Sequence, residues 1–347
     1  MKMKTIVAIV MIGCSTSSGY SDAISDYAVG RQGANLKSTL ATHFRPLASI
    51  RSESELFHAL YGMQIDVDGL IPDFFTGDKV TAYYEYYDDN NNVRTSRIVE
   101  PQWMVYPVEY QMEAYYDLYN MILVEFTSMT VKDVLPFGEV EDIGQESGAL
   151  LRGYSKMGSE LIECIEPTSE YKGDIARMLF YVVTIYPMEL WGDWGAIVCR
   201  NNHYPTLSDY FAGTYLKWHR EDPVDEQERT RCAAIEKIQG NMNPFVVRPE
   251  LIEYLWGDKK GEKYGTGGQE GNPDEESDEK IPLRGEYVMS DVFLDLYTPY
   301  APDNVDWKID GMLCSGRIKL SALGIGEHEI TYENNNVKGK LIIKIEP

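Results

Sequence analysis

The sequence predicts an α+β protein: a mainly helical domain over residues 24–256, an acidic linker over 257–282, and a small all-β domain over 283–347. Three observations carry that reading. Apolar residues recur at helical spacing through residues 21–63 and again from Tyr171 to Trp256. Gly257 to Pro282 holds almost no apolar side chain and includes Glu275-Glu276-Ser277-Asp278-Glu279, so it buries too little surface to fold and should be solvated and mobile. Beyond it, short alternating runs are separated by Gly, Asn, Asp and Pro, the pattern of a small β-sandwich of immunoglobulin-like type.

The elements follow in order. Met1-Lys2-Met3-Lys4 is a positive start, Ile6 to Ile12 a short apolar run, and Gly13-Cys14 precedes the polar Ser15-Thr16-Ser17-Ser18. That run is too short to span a bilayer but suits the apolar core of a signal peptide over residues 1–20. A small residue before a cysteine at that point resembles a bacterial lipoprotein cleavage site. Cys14 would then be the lipidated first residue, a membrane anchor for a chain exported to the periplasm or cell surface. An ordinary signal peptide cut later, with Cys14 discarded, is the alternative.

Leu36 and Leu40 mark a first helix, and Leu56, Ala59 and Leu60 a second, opened by Ser52 or Ser54. Thr81 to Val99 reads as a hairpin around Asp88-Asp89-Asn90-Asn91-Asn92, and Glu109 to Val124 as a helix. Tyr171 to Tyr186 and Leu207 to His219 are helical. Asp222-Pro223 is the expected start of another helix that runs through Gln239 and closes on Gly240, and Pro249 to Trp256 is a short last one. In the β region, Trp307 is a candidate core residue.

Charge limits the function classes. There are 32 basic and 55 acidic residues, for a formal net charge of -23. Nucleic-acid affinity comes mostly from neutralising phosphates, so any such site here has to be a local basic patch on a repelling body. Cys164, Cys199, Cys232 and Cys314 form no C-x-x-C pair and give no zinc or thioredoxin-like motif. A Cys164–Cys199 disulfide is one option for an exported chain, and Cys232, beside Ala233, Ala234 and Ile235, reads as core.

Two segments carry a family resemblance. Trp218-His219-Arg220-Glu221-Asp222-Pro223 is followed by Gln239-Gly240-Asn241-Met242-Asn243-Pro244-Phe245. Together with Gly173-Asp174-Ile175-Ala176-Arg177 and Pro136-Phe137-Gly138-Glu139-Val140, these resemble the bacterial endonuclease I family, exported nucleases with a ββα-metal (His-Me finger) site. The resemblance runs over roughly residues 24–256. It implies that the Thr81–Val99 hairpin and the Glu109–Val124 helix form the ββα unit. There a divalent ion would stabilise phosphoryl charge while a histidine activates water.

Position by position, the frame is kept and the chemistry is not. Pro101-Gln102 matches the end of the family's E-H-x-x-P-Q, which puts its metal-ligand glutamate on Arg97 and its general-base histidine on Ile98. Asp117, Leu118 and Asn120 match D-L-H-N, with Tyr119 at the histidine. The downstream ligand asparagine falls on Met129, and the arginine on Lys132. Arginine repels a cation, isoleucine accepts no proton, and a thioether suits a hard oxygen-seeking ion badly. The resemblance therefore implies a metal-free, noncatalytic site.

The residues of a retained groove would be Asn120, Arg177, Trp218, His219, Arg220, Asn241 and Asn243. Equally, His219 fixes a helix end and Arg177 pairs with Asp174 or Glu170, while Arg231 pairs with Glu228 or Asp225. Three function classes follow. The first is a noncatalytic surface binding protein, taking nucleic acid or protein weakly through residues 81–140. The second is an active endonuclease using Mg²⁺ on shifted carboxylates such as Glu100, Glu109, Glu113 or Asp117. The third is a structural or adhesive protein with the nuclease fold as scaffold.

Overall fold

Helix α1 (Gly33–His43) and helix α2 (Glu53–Gln64) form where the apolar spacing puts them, and the Ser52 side chain caps α2 by accepting from the Glu55 N–H. The computed structural model describes residues 28–47, 52–66, 68–84, 92–265, 286–288, 293–295, 306–314, 317–319, 323–333 and 338–346. The signal segment with Cys14, and linker residues 266–282, lie outside the described residues. Strands β1 (Leu70–Pro72) and β2 (Lys79–Thr81) pair antiparallel.

The middle of the chain departs from expectation. Strand β3 (Val93–Arg97) pairs antiparallel with β5 (Met121–Glu125), with Arg97 opposite Met121, and not with residues around Thr81. Between them come β4 (Met104–Tyr106) and a short helix α3 (Val108–Tyr115). The expected Glu109–Val124 helix thus ends at Tyr115, and its second half is a strand. Met121, Ile122, Leu123 and Val124 are all buried, and a continuous apolar run reads alike as buried strand or buried helix. Helix α4 (Phe126–Lys132) follows β5 at once and packs on both β3 and β5. The expected hairpin-plus-helix arrangement is thus replaced by a β3–β5 pair with α4 packed on it.

Next is an antiparallel meander, β6 (Asp142–Ser147), β7 (Leu150–Met157) and β8 (Glu160–Glu166), with β8 at its edge. Phe137 forms a parallel bridge to Ile165 on that edge. Helix α5 (Lys172–Ile185) is the centre of the domain. Every residue from Gly173 to Ile185 is buried, as expected of a helix that is apolar nearly all round. Strand β9 (Leu190–Trp191) pairs with β4, and α6 (Asp193–Val198) leads to α7 (Asp209–Glu221), which packs along α5.

Helix α8 (Glu226–Gln239) starts later than Asp222-Pro223 suggests. Asp225 is its N-cap, accepting from the Glu228 N–H at 2.8 Å, and Gly240 ends it in the left-handed conformation at φ 75°. Asp222 instead accepts from the Gly173 N–H at 2.8 Å and so ties α7 to the start of α5. Short helices α9 (Pro244–Val247) and α10 (Leu251–Leu255) complete the core against α5 and α1.

The start of the linker is not loose. The Tyr264 side chain is buried, and its main chain exchanges hydrogen bonds with Arg31 and Gly30. The three described cysteines of this region, Cys164, Cys199 and Cys232, are buried free thiols, so the Cys164–Cys199 disulfide does not form. The described C-terminal residues are mostly β. Strands β10 (Glu286–Val288), β12 (Asp306–Ile309), β13 (Met312–Cys314), β15 (Gly326–Glu333) and β16 (Lys338–Glu346) form a sheet in the order β10-β16-β15-β12-β13. Strands β11 (Phe293–Asp295) and β14 (Arg317–Lys319) form a second pair. Trp307 is buried, as its sequence context suggests.

Candidate functional site

Strands β3 and β5 and helix α4 carry or adjoin the positions that the resemblance singled out. Arg97 ends β3. Its guanidinium pairs with Glu53 of α2 at 2.7 Å, donates to the Tyr115 carbonyl at 3.0 Å, and lies 3.6 Å from the Tyr115 ring centroid. Its charge is therefore taken up by protein. Ile98 is fully buried in the core, and its N–H donates to the Asn120 carbonyl at 3.0 Å. On α4, Met129 is half-buried against the core. One turn later, Lys132 is fully buried, and its ammonium is ion-paired to Glu100 and 5.7 Å from the Phe137 ring centroid.

A hard divalent cation takes oxygen ligands, chiefly carboxylates and carbonyls. At the four aligned positions stand a guanidinium, an alkyl chain, a thioether and an ammonium that already occupies Glu100. These residues do not fit a metal. Among the described residues there is also no group of three His, Cys, Asp or Glu side chains arranged to hold one. The shifted carboxylates do not converge either. Glu100 binds Lys132, Glu113 binds Arg45, and Asp117 is enclosed.

Around Asp117 the frame is complete. One carboxylate oxygen accepts from the hydroxyls of Tyr181 (2.7 Å) and Tyr186 (2.6 Å), the other from the Tyr119 N–H (2.8 Å) and the Gln239 amide (2.9 Å). Burial pushes the Asp117 pKa above its ordinary value against the pull of these four donors. Gln239 also donates to Asn241, which donates in turn to the Phe44 carbonyl and the Tyr181 hydroxyl. Tyr119, at the lost histidine, directs its hydroxyl to the Cys232 carbonyl at 3.1 Å. Asn120 clamps the β3 exit: it accepts from the Val99 N–H and donates to the Val99 and Ala114 carbonyls.

A second buried cluster is built on Arg177. It binds Glu228 and Asp174 at 2.7 and 2.8 Å and donates to the Asp222 carbonyl at 2.7 Å. Gly173 is required here because a Cβ would meet the Asp222 carbonyl oxygen at 1.9 Å. His219 Nδ1 lies 3.4 Å from Arg177, and burial, then the Arg177 charge, lowers the His219 pKa to about 4. At neutral pH it is an uncharged ring and offers a phosphate no positive charge. Trp218 donates to Glu139 at 3.2 Å, and Asn243 caps α9 through the Phe245 N–H. Arg220, 42% exposed, is held by Glu253 and Asp258.

The seven groove candidates are thus brought together as framework. Asn120, Arg177, Trp218, His219, Asn241 and Asn243 are buried, each with a polar side-chain atom within hydrogen-bond reach of the protein, and Arg220 alone of the seven is exposed. Arg177 does pair with Asp174, but Arg231 donates to the Leu118 and Met121 carbonyls and not to its helix neighbours.

Sequence reasoning missed three features. Lys37 is fully buried in α1, hydrogen-bonded to the His203 carbonyl and Thr206 hydroxyl, and burial lowers its pKa to about 7. No pattern in α1 marks it. The Lys132–Glu100 pair needs the α4 fold-back to appear. The third is a set of exposed apolar side chains on neighbouring elements, Val105 and Tyr106 on β4, Val108 and Met112 on α3, and Leu190, which pairs with Tyr106 across β4 and β9. Val108 and Met112 at helical i, i+4 spacing, off the Tyr110–Ala114 core stripe, are the signal that would have found it.

Comparison with known proteins bears on this arrangement. A model of the endonuclease I family matches residues 32–250. An extracellular ribonuclease of Bacillus subtilis (strain 168) is 38% identical over 104 residues, covering 26% of this chain and 32% of the relative. An extracellular ribonuclease of Bacillus amyloliquefaciens is 39% identical over 95 residues, again 26% of this chain and 32% of the relative. The chain spans about a third of the length of these curated relatives.

Proposed function

This chain belongs to the endonuclease I family, and we propose that within it the protein is a noncatalytic member acting as an exported binding protein. The observation that carries the reading is the buried Lys132–Glu100 ion pair beside Arg97–Glu53. Two fixed cations stand on the unit that would hold a metal, and both are already neutralised by carboxylates. No group at Ile98 accepts a proton from water. Export is supported by the extracellular relatives and by the signal-like start, and Cys14 is the proposed lipid anchor.

The binding face is the exposed apolar patch on β4 and α3, within residues 81–140 and extended by Leu190. Its apolar centre carries exposed Glu109 and Glu189 at its border, on a chain of net charge -23. That chemistry suits a protein partner and repels nucleic acid. The C-terminal strands are proposed to form an immunoglobulin-like sandwich that serves as a second surface module.

The test is incubation of the purified full chain with plasmid DNA and with RNA in Mg²⁺ or Mn²⁺, with and without EDTA. The expected result is no cleavage above a buffer control. EDTA-sensitive cleavage that Glu100→Gln abolishes would instead establish the active-nuclease alternative.

A further inference from the structure

We propose that the outer edge of β8, facing α6, is a docking site for an extended, basic segment of a partner protein, which adds there as a further strand. This inference does not rest on the fate of the metal site.

The edge is defined by its neighbours. Strand β8 pairs with β7 on one side only, and the Ile165 N–H and carbonyl both point away from β7, to Pro136 and Gly138 at 2.9 and 2.8 Å. In an antiparallel strand, alternate residues direct their main-chain groups to the same side. Glu163 and Leu161 therefore also present N–H and carbonyl groups outward, where the Pro136–Gly138 stretch no longer reaches. Those groups have no main-chain partner among the described residues. The parallel bridge from Phe137 shows that this edge accepts a strand, and an added segment would continue it.

The cleft beside the open edge has the dimensions and lining of a site. Its volume is about 590 Å³, bounded by the β7–β8 hairpin and α6. Met157, Leu161, Trp194 and Ile197 supply apolar walls, and Leu161 is 63% exposed. Alternate side chains of an extended segment would reach these walls while its main chain pairs with Leu161 and Glu163.

Charge selects the segment. Glu160 and Asp193 are exposed on the cleft and in no ion pair among the described residues, whereas Glu163 is taken by Arg152 at 2.8 Å. Among the described residues, Arg200 is the one cation in the lining, against the chain's charge of -23. A basic segment is attracted and an acidic one repelled, which also disfavours the chain's own acidic linker as occupant.

The experiment uses the full chain and two acetylated, amidated probes, Val-Lys-Val-Lys-Val and Val-Glu-Val-Glu-Val. Amide shifts in a nitrogen-15 spectrum locate binding. Binding of the lysine probe with shifts grouped on 160–163 and 193–200, and none with the glutamate probe, supports the proposal. Leu161→Pro removes an outward N–H and trims an apolar wall while leaving the β7 ladder its bonds, a position where an edge strand tolerates proline, and should weaken the lysine probe by about tenfold or more. Asp193→Lys, at an exposed position on α6 outside the β7–β8 ladder, should weaken it without altering the fold. Failure of the lysine probe to bind, equal binding of both probes, or binding unchanged in a folded Leu161→Pro chain overturns the proposal.

Discussion

Asp117 and Lys132 are both buried charged groups, fifteen residues apart, and they sit in differently built surroundings. Asp117 receives four hydrogen bonds, one from its own turn and three from two distant segments, so the DLYN, QGN and α5 motifs hold one another. Lys132 has one carboxylate partner, Glu100, and a carbonyl of its own turn at 3.2 Å. The first is a network that locks three elements together. The second is a single ion pair that neutralises one buried ammonium. The Asp117 network is shared among core elements, whereas Lys132 answers to a single side chain.

The largest break should come in the frame. Arg177→Met leaves Asp174 and Glu228 buried without their cation and should cost about 3–5 kcal/mol, read from urea unfolding. A smaller loss is expected at the degenerate site. Lys132→Met leaves Glu100 facing the core, but that side chain retains 17% exposure, so about 2 kcal/mol is expected. Adding Glu100→Gln should recover much of it, since the two positions are coupled. If Lys132→Met proves as costly as Arg177→Met, the contrast between network and local pair fails.

The smallest effect is a pH dependence. Burial and then Arg177 hold His219 at about 4, below its ordinary 6.5, so the unfolded chain takes up the proton first as pH falls. Its contribution to stability is present above pH 6.5 and is lost as pH falls from there through about 4. Melting temperatures across that window should decline less steeply in His219→Gln than in the parent chain. Equal slopes would mean that the ring lies outside the Arg177 cluster in solution.

Much of the frame was legible because it is local. The Ser52 cap, the α5 apolar run, Gly240 at the end of α8 and the buried Trp307 all follow from spacing and backbone preference. The errors fall where those rules are silent. Met121 to Val124 is apolar throughout, and only pairing with β3 makes it a strand. Asp222 has the form of a helix cap, yet its carboxylate serves Gly173, 49 residues away.

The candidate site divides in the same way. Sequence alone supplied the motif spacing by which the family resemblance aligns Arg97, Ile98 and Met129 with catalytic positions, because spacing is a property of the chain. It also determined the acidic balance that disfavours nucleic acid. Only the tertiary structure decided that Arg97 is spent on Glu53 and Lys132 on Glu100, and that Arg177 and Asn241 lie inside the core. It alone left the β8 edge and the β4–α3 patch open. Burial and partnership depend on what distant segments bring to the same point, and no periodicity within one segment encodes that.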